Sequence, residues 1–340
     1  MLYNNNAVEK MIKVGIIGYG KMGQTRHQAI KETGCAEVVA ISEPNRVSNM
    51  LEDLPNLSHD EIIGSQDIDA ILIATPNYLN KPLTIKALNA RKHVFCEKPP
   101  CFTAADMMEI REAEKASGKK LMYGFNHRHH DSIMRMKEIV DTKEYGDILW
   151  MRGRYGKSVT PDYCEQWRAK KELAGGGILI DQGIHMLDLF QYLGGDFDSV
   201  KAELSNLYWK MDVEDNAFVI LRNTENNCVA SLHSTMTQWR HLFSLEVFLE
   251  KGYMVLNGLI TSTMSYGKEI LTIAKSRSAA PAATWQDEVR TEYMNNNSWR
   301  YEMLQFFDAI NNDIPIRIGN SDDALKLMTI IDKTYAQKSF

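Results

Sequence analysis

An aspartate and a histidine stand four positions apart, directly after three consecutive glycines. They are Asp181 and His185, in the segment Gly-Gly-Gly-Ile-Leu-Ile-Asp-Gln-Gly-Ile-His at 175–185. If the chain from Ile178 is helical, both side chains lie on one face, one turn apart. A carboxylate beside an imidazole fixes its tautomer and raises its basicity, which suits a general base. A capped helix with a buried structural histidine gives the same pattern, so the pair needs support from other motifs.

A glycine motif near the start of the chain provides the first support. It has the form Gly-x-Gly-x-x-Gly, follows a short apolar run and precedes a segment predicted to be helical. The first glycine permits a tight turn, the second lets the backbone approach a pyrophosphate, and the third lets helix and strand pack closely. The free N–H groups of the helix would face the phosphates. The residues expected to contact a dinucleotide here are Gly18, Gly20, Lys21, Met22 and Gly23.

An acidic residue ends the second apolar run. Glu43 lies twenty residues after Gly23, where a carboxylate would accept hydrogen bonds from the adenosine ribose hydroxyls. Because a carboxylate repels a 2′-phosphate, the motif favours NAD over NADP. Arg46 lies close enough to pair with such a phosphate or merely to flank the adenine, so NADP stays an alternative.

A lysine at a predicted strand end is the second support. The strand at 93–96 runs into Glu97, Lys98 and two prolines. Ligands bind at the carboxyl ends of strands in open α/β sheets, and proline fixes φ and stops the strand. The Lys98 ammonium would therefore be held at that edge, where it could bind a substrate hydroxyl and lower the pKa of that hydroxyl. A solvated lysine at a turn is the alternative explanation of this motif.

Together these motifs resemble the glucose–fructose oxidoreductase, inositol dehydrogenase and rhizopine catabolism protein family. The resemblance runs from about Ile12 to Gly195. It rests on the glycine motif at 18–23, Ala-Thr-Pro-Asn at 74–77, His-Val-Phe-Cys-Glu-Lys-Pro at 93–99, Trp-Arg at 167–168 and the segment 175–188. The resemblance implies an N-terminal Rossmann domain, a C-terminal domain with a large, mainly antiparallel sheet, and hydride transfer at a sugar or cyclitol carbon.

The resemblance also implies roles for particular residues. Lys98, Asp181 and His185 match the catalytic residues of the family by position, and Asn126 and Arg128 fall at a strand end above the cofactor. Further cofactor contacts are expected at Thr75, Pro76, Asn77, Glu97 and Lys98. Substrate contacts are expected at Asn126, Arg154, Tyr155, Trp167, Arg168, Asp181 and His185. One departure is Asn80, where many relatives have histidine; an asparagine cannot carry a proton, so its role would be positional.

The clues to the substrate come from a basic and aromatic segment. Arg152, Arg154 and Lys157 precede Trp167-Arg168, and Tyr155 and Tyr163 lie among them. If this segment lines the cleft, its cations favour a nucleotide-activated or acidic sugar. A strand whose charged side chains face solvent is the alternative.

The pattern of predicted elements places these motifs in two domains. Strands and helices alternate over the first 130 or so residues, which is typical of a parallel sheet, whereas strands with period-two alternation dominate from Asp147 onward. The fold class is therefore α/β: an N-terminal Rossmann domain and a C-terminal α+β domain. We expect a Rossmann NAD-binding domain at 11–130 and a domain for substrate binding and oligomerisation at 131–340, with C-terminal helices that could pack back on the first. The predicted C-terminal strands are 148–155, 199–209, 216–221, 227–235 and 242–250.

Composition excludes several classes of protein. A net charge of −5 gives no general attraction to nucleic acid or to anionic membranes. No apolar run approaches the roughly 20 residues of a spanning helix, and residues 1–10 lack the apolar core of a signal peptide. The five cysteines are odd in number and form no C-x-x-C pair, which favours reduced thiols in the cytoplasm. Asn-His-Arg-His-His at 126–130 is expected to line a polar site and not to hold a metal.

Three function classes remain. The first is an NAD-dependent dehydrogenase of a sugar or nucleotide sugar, with an inositol or other cyclitol as alternative substrate. The second is an enzyme that uses retained NAD for a transient oxidation. The third is a ligand-sensing co-regulator, which the intact set of Lys98, Asp181 and His185 argues against. A sheet face used for subunit contact, as in the family, would make the protein a homodimer or homotetramer.

Overall fold

The computed structural model describes residues 11–45, 54–276 and 283–337, and the chain divides into two compact units. The first unit contains the described residues up to Pro100, together with Ala105–Gly124 and Trp299–Ala324. The second contains Cys101–Ala104, Phe125–Ser298 and the described residues from Leu325 onward. Each unit has its own sheet.

The sheet of the first unit is parallel and has the strand order β2-β1-β3-β4-β5. Its strands are β1 (Ile12–Ile17), β2 (Ala36–Ser42), β3 (Ala70–Ile73), β4 (His93–Cys96) and β5 (Leu121–Tyr123). The helices that follow them are α1 (Lys21–Thr33), α2 (His59–Gly64), α3 (Asn80–Asn89) and α4 (Ala104–Ser117). Between β1 and β3 the direction of winding reverses, and ligands of open α/β sheets bind at such a point.

The buried apolar strands explain why this sheet forms. All four residues of β3 are buried, as is expected for a strand covered on both faces. A late helix, α8 (Ser298–Asn311), adds Met303, Phe306 and Phe307 to the core around β1. The core of the first unit is thus completed by α8, which lies far beyond β5 in the chain.

The second unit holds an eight-stranded sheet in the order β13-β12-β11-β10-β6-β9-β8-β7. Neighbouring strands are antiparallel except for the parallel pair β6 and β9. The strands are β6 (Ile148–Ser158), β7 (Ser199–Ser205), β8 (Asn216–Arg222), β9 (Val229–Thr235), β10 (Thr237–Leu249), β11 (Gly252–Asn257), β12 (Glu269–Lys275) and β13 (Val289–Tyr293). The remaining helices are α5 (Asp131–Asp141), α6 (Lys171–Ala174), α7 (Ile184–Gly194) and α9 (Ser321–Tyr335).

One face of this sheet is covered and the other is exposed. α7 packs on β6 and β9, and α5 packs on β12. In β8, buried and exposed residues alternate from Val219 to Arg222, as expected for a sheet with one solvent-facing side. The outer face carries apolar side chains, among them Trp150, Phe218, Ile220 and Val229.

The fold class predicted from the sequence is confirmed, but several element boundaries are not. The strand predicted over 199–209 ends at Ser205, because the amides of Leu207, Tyr208 and Trp209 all donate to the carboxylate of Asp215 and the chain leaves the sheet. Strands β11, β12 and β13 were not predicted. Most of the loop predicted over 276–285 lies outside the described residues.

Candidate active site

The glycine turn after β1 is shaped to approach a phosphate group. Gly18 has a φ of +90°, and a Cβ there would collide with the backbone of Ala74. A Cβ on Gly23 would collide with the carbonyl oxygen of Gly18, whereas one on Gly20 would meet no atom within 4 Å. α1 begins directly after Gly20 with no side chain capping its first N–H groups. These groups fit a dinucleotide pyrophosphate, which needs backbone donors and a helix N-terminus.

The carboxylate of Glu43 is held beside this turn. Its Oε2 accepts the backbone N–H of Tyr19 at 2.9 Å, and its Oε1 accepts that of Asn45 at 3.1 Å. The side chain of Glu43 is half-buried. Arg46, the other residue relevant to the choice between NAD and NADP, lies outside the described residues.

Three strand ends bring further predicted residues to the same edge of the sheet. Ile17, Ile73 and Cys96 are aligned across β1, β3 and β4, so the residues that follow each of them emerge together. These residues are Gly18, then Thr75, Pro76 and Asn77, and then Glu97 and Lys98. The hydroxyl of Thr75 donates to Oδ1 of Asn80 at 3.1 Å, and Lys98 is half-buried.

Asn80 clamps the turn that carries Lys98. Its side chain is fully buried, and its Nδ2 donates to the carbonyl oxygens of Pro99 at 2.8 Å and Glu97 at 3.3 Å. The two carbonyls flank Lys98 on either side. An asparagine amide therefore fixes the backbone of this turn, which is the positional role expected for a side chain that cannot carry a proton.

The carboxylate of Glu97 is engaged inside the first unit. Arg26 is fully buried and lies 2.6 Å from Oε1 of Glu97 and 2.6 Å from Oε2 of Glu302. The Arg26 guanidinium also lies over the rings of Phe95 and Trp299. Burial acts to lower the pKa of Arg26, but the two carboxylates outweigh it and the pKa is raised. The carboxylate of Glu97, a residue expected to contact the cofactor, is therefore engaged by Arg26 at the end of β4.

In the second unit, Asp181 and His185 lie on one continuous helical segment, although not the one expected. Leu179–Gly183 forms a π-helical turn, and α7 continues from Ile184. A π turn closes i→i+5 hydrogen bonds, so its side-chain spacing differs from the α-helical face predicted from the sequence. His185 is 6% exposed, and the side chain of Asp181 is 17% exposed.

A buried carboxylate shapes the start of this turn. Oε1 of Glu214 accepts the N–H of Gly177 at 2.9 Å, the N–H of Leu179 at 3.1 Å and the hydroxyl of Tyr335 at 2.8 Å. The glycines allow these contacts: a Cβ on Gly176 would collide with the Tyr335 hydroxyl, and one on Gly177 with the backbone of Glu214. Gly176 and Gly177 are thus close-packed against these two residues.

Asp181 forms an ion pair that the sequence did not reveal. Its Oδ2 contacts Nζ of Lys157 and lies 3.4 Å from the hydroxyl of Tyr163, and the same lysine donates to Tyr163 at 3.1 Å. Lys157 and Tyr163 are both buried, at 8% and 7% exposure. Burial, followed by the charge of Asp181, raises the pKa of Tyr163, so the phenol remains neutral.

His185 stacks on a second imidazole. The rings of His185 and His127 lie 3.9 Å apart between centroids and 15° from parallel. His127 Nδ1 is 3.1 Å from Oδ1 of Asn126, and its Nε2 is 3.0 Å from the hydroxyl of Tyr155. Asn126 and Tyr155, both expected to bind substrate, are thus brought to the same cluster as His185. Burial and then the neighbouring Tyr266 raise the pKa of Tyr155.

The other members of the histidine-rich segment are engaged elsewhere. Arg128 makes a buried, two-pronged ion pair with Asp188, with N–O distances of 2.7 and 2.9 Å. His130 lies 3.0 Å from Glu269, also buried. Arg128 therefore anchors α7 through Asp188. Within the described ranges, no group of three or more His, Cys, Asp or Glu side chains is arranged to hold a metal ion.

The basic segment divides between the two faces of the sheet. Arg152 and Arg154 are exposed on the outer face, where Arg152 pairs with Glu246, while Tyr155 and Lys157 face inward. Arg154 was expected to bind substrate together with Tyr155, but the strand directs the two to opposite sides. Trp167 and Arg168 lie in a short 3₁₀ turn and are half-buried, with the guanidinium 4.3 Å from the indole ring centroid.

Sequence reasoning named Lys157 and His127 only as members of a basic and a histidine-rich segment, without their contacts to Asp181 and His185, and it missed Glu214 and Tyr335 altogether. For Lys157 a signal was present, because it stands two residues after Tyr155 and side chains two apart on a strand share a face. For Glu214 and Tyr335 the chain offers no local signal, since their contacts to Gly177 and Leu179 span long stretches of sequence.

Comparisons with known proteins agree with this architecture. Residues 12–125 match the model of an oxidoreductase family with an NAD-binding Rossmann fold, and residues 133–255 match the GFO/IDH/MocA C-terminal domain. Inositol 2-dehydrogenase of Salmonella typhimurium is 26% identical over 320 residues, which cover 89% of this chain and 87% of that protein. Levoglucosan dehydrogenase of Pseudarthrobacter phenanthrenivorans is 31% identical over 210 residues, 57% of this chain and 54% of that protein.

A solved structure shows the same fold. Levoglucosan dehydrogenase in complex with NADH and levoglucosan superposes with a TM-score of 0.84 at 24% identity, over 96% of this chain and 97% of that chain.

Within the described part of the chain, no helix is both long and apolar enough to cross a membrane. The two family models together span most of residues 12–255, and the chain belongs to the GFO/IDH/MocA oxidoreductases, a family of NAD-binding enzymes with an N-terminal Rossmann domain.

Proposed function

We propose that the protein transfers hydride between NAD and a secondary hydroxyl of an uncharged sugar or cyclitol. The observation that carries this proposal is the cluster around Asp181 and His185, in which the carboxylate of Asp181 contacts Lys157 and the imidazole of His185 stacks on His127. A carboxylate and an imidazole of this kind can transfer a hydroxyl proton by general acid–base catalysis. The names of the relatives, an inositol and a levoglucosan dehydrogenase, point to ring compounds that bear several hydroxyls and no charge.

The charges of the second unit support an uncharged substrate. Of the cations that the sequence offered for an acidic or nucleotide-activated sugar, Arg152 and Arg154 lie on the outer face of the sheet. The ammonium of Lys157 is matched by the carboxylate of Asp181. An anionic group on the substrate would therefore find little uncompensated positive charge from this strand, whereas hydroxyls would find the polar groups of Tyr155, Tyr163 and His185.

Three residues divide the chemistry in this proposal. His185 accepts the hydroxyl proton, with its ring plane fixed by the stack on His127. Asp181 accepts a hydrogen bond and aligns the reacting groups. Lys98, held in its turn by Asn80, stabilises the negative charge that develops on the substrate oxygen. NAD, when bound at the glycine turn, supplies the hydride acceptor.

We further propose that the protein is a cytoplasmic homodimer or homotetramer. The outer face of the eight-stranded sheet exposes Phe218 at 47%, Ile220 at 51% and Trp150 at 36%, and large apolar side chains exposed on one sheet face suit a surface for subunit contact. Cys96, Cys101 and Cys228 are buried thiols that form no disulfide, which suits a reducing compartment.

The test is a substrate panel with NAD, monitored by absorbance of the reduced nicotinamide. It should contain cyclitols, anhydrosugars and aldoses, together with uronic acids and nucleotide sugars. We expect turnover of one or more uncharged compounds, and loss of that turnover in His185→Asn while NAD binding is retained. Turnover confined to the anionic sugars would contradict the proposal. A substrate that is consumed without net reduction of added NAD, with cofactor retained through purification, would point instead to transient oxidation.

A further inference from the structure

The strongest feature that the proposed acid–base set does not use is the buried ammonium of Lys157. It lies near the end of β6, on the inner face of the sheet together with Met151, Gly153 and Tyr155. Its side chain is 10% exposed. A lysine is seldom buried without a partner, because the charged form loses its hydration.

The surroundings of Lys157 explain its burial. Nζ contacts Oδ2 of Asp181, donates to the hydroxyl of Tyr163 at 3.1 Å and lies 4.3 Å from the Tyr163 ring centroid. The pKa of His241 on β10 is lowered by its burial and then by the charge of Lys157, so this imidazole stays neutral beside the ammonium. The charged groups that face Tyr163, the third member of the cluster, are Asp181, Arg168 and Glu214.

We propose that Lys157 is the positioning residue of the site, holding Asp181 ionised and fixing the direction of its carboxylate. This inference rests on the proposed function for its catalytic consequence, but the ion pair itself can be tested without a substrate. Because Oδ2 binds the ammonium, the orientation of Oδ1 is fixed. A fixed orientation is what an oxygen needs if it is to accept a hydrogen bond in a defined geometry.

Tyr163, the other side chain that contacts Asp181 in this cluster, could not replace the lysine. Tyr163 can donate a hydrogen bond but carries no positive charge, and its raised pKa keeps it a neutral phenol. Tyr155 and Tyr266, which also feel the charge of Asp181, are uncharged phenols as well. Without Lys157, a carboxylate whose side chain is only 17% exposed would lose the ammonium that contacts it. Such a group takes up a proton more readily and becomes a donor at one oxygen.

Thermal unfolding of four proteins tests the pairing: wild type, Lys157→Met, Asp181→Asn and the double variant Lys157→Met/Asp181→Asn. Removing one partner of a buried ion pair is costly, so we expect Lys157→Met to lower Tm by about 5–10 °C at pH 8. The loss should shrink to half or less at pH 5, where the orphaned carboxylate can protonate. The double variant should regain at least half of the loss at pH 8.

The matched control is Lys251→Met, which removes an exposed lysine from the turn between β10 and β11 of the same sheet. It should change neither Tm nor turnover. A Tm loss in Lys157→Met that is equal at both pH values, and unchanged when Asp181 is replaced by asparagine, would overturn the proposal and reduce Lys157 to a packing residue.

The catalytic consequence is tested with whichever substrate the panel provides. In Lys157→Met, the acid limb of the kcat/KM profile should move to higher pH and kcat should fall about tenfold or more. Lys157→Arg and Tyr163→Phe, which keep a cation beside Asp181, should leave the acid limb in place. An unmoved limb in Lys157→Met would refute the positioning role. If the unfolding results hold but no sugar is turned over, the failure lies with the proposed function and not with the ion pair.

Discussion

The contact of Glu214 with the glycine segment gives a sharp prediction, because two substitutions should have opposite outcomes. All three donors, the N–H groups of Gly177 and Leu179 and the hydroxyl of Tyr335, bind the same oxygen, Oε1. Glu214→Gln keeps a carbonyl oxygen at that place. Glu214→Ala removes the acceptor and leaves three donors beside a cavity.

The magnitudes separate the two variants. A buried donor without an acceptor costs about 1–3 kcal/mol, and Glu214→Ala leaves three such donors. Water that enters the cavity would accept hydrogen bonds from some of them. Glu214→Ala should therefore lose about 3–5 kcal/mol of unfolding free energy. Glu214 is 1% exposed, and burial raises the pKa of its carboxyl despite the bonds from Tyr335, Gly177 and Leu179. The neutral amide of Glu214→Gln avoids that desolvation, so its change should be within about 1 kcal/mol.

The pH dependence has a definite sign. A carboxyl whose pKa is higher in the folded than in the unfolded protein stabilises the fold. This stabilisation is complete when the pH lies below the pKa that the carboxyl has in the unfolded protein. That contribution is lost as the pH rises through the raised folded pKa. Glu214→Gln lacks this dependence and should therefore gain stability relative to wild type as the pH is raised from 4 toward 8.

The assay is urea unfolding at pH 5 and pH 8, with kcat measured on the same preparations. Glu214→Ala should also lower kcat, because Gly177 and Leu179 begin the turn that carries Asp181, while Glu214→Gln should keep it. Equal losses in both variants would show that the negative charge, and not the acceptor position, is required. A loss below about 1 kcal/mol in Glu214→Ala would refute the hydrogen-bond argument.

Four further predictions concern the rest of the molecule. His185→Ala should lower kcat by roughly 10²–10⁴-fold with NAD affinity unchanged in a fluorescence titration, and near-normal turnover would place the base elsewhere. Gly23→Ala should lower Tm through its collision with Gly18, whereas Gly20→Ala should keep Tm and weaken NAD binding; equal Tm values would count against this packing. In calorimetric titrations NAD should bind more tightly than NADP, and Glu43→Ala should reduce the difference between the two affinities. Equal affinities for NAD and NADP in the wild type would disprove the role of the carboxylate. Light scattering at micromolar concentration should give a dimer or tetramer, and a monomer would argue against the exposed sheet face as an interface.

The cofactor side could be predicted from sequence because its signals are local. Strand β4 has the boundaries expected from its apolar run, and Gly18 lies in the positive-φ turn that the glycine motif indicates. Lys98 follows a strand end as the prolines after it suggest. In each case the information lies within a few residues of the feature, so spacing alone was sufficient.

The second unit was less predictable because its determinants are distant in sequence. The turn at 179–183 was expected to be α-helical but is a π turn, and the backbone at its start is bound by Glu214, 37 residues from Gly177 and 35 from Leu179. The ion pair of Lys157 with Asp181 likewise spans 24 residues. Patterns of hydrophobicity describe which face of an element is buried, but not which buried polar groups will meet.

The two kinds of determinant suggest how one site can be kept while its substrate changes. Asp181 and His185 are fixed through backbone, by the glycines at 175–177 packed against Glu214 and Tyr335, so nearly every substitution there would disturb the acid–base pair itself. Among the inward residues of β6, Lys157 belongs to the same set through its contact with Asp181, whereas Tyr155 reaches the set through His127. Because a strand tolerates a new side chain without a change of backbone, Tyr155→Phe would change the polar surface offered to the substrate while leaving the helical segment and its ion pair in place. On this argument, β6 is the element in which specificity should be sought, and the segment at 175–185 the one in which the chemistry resides.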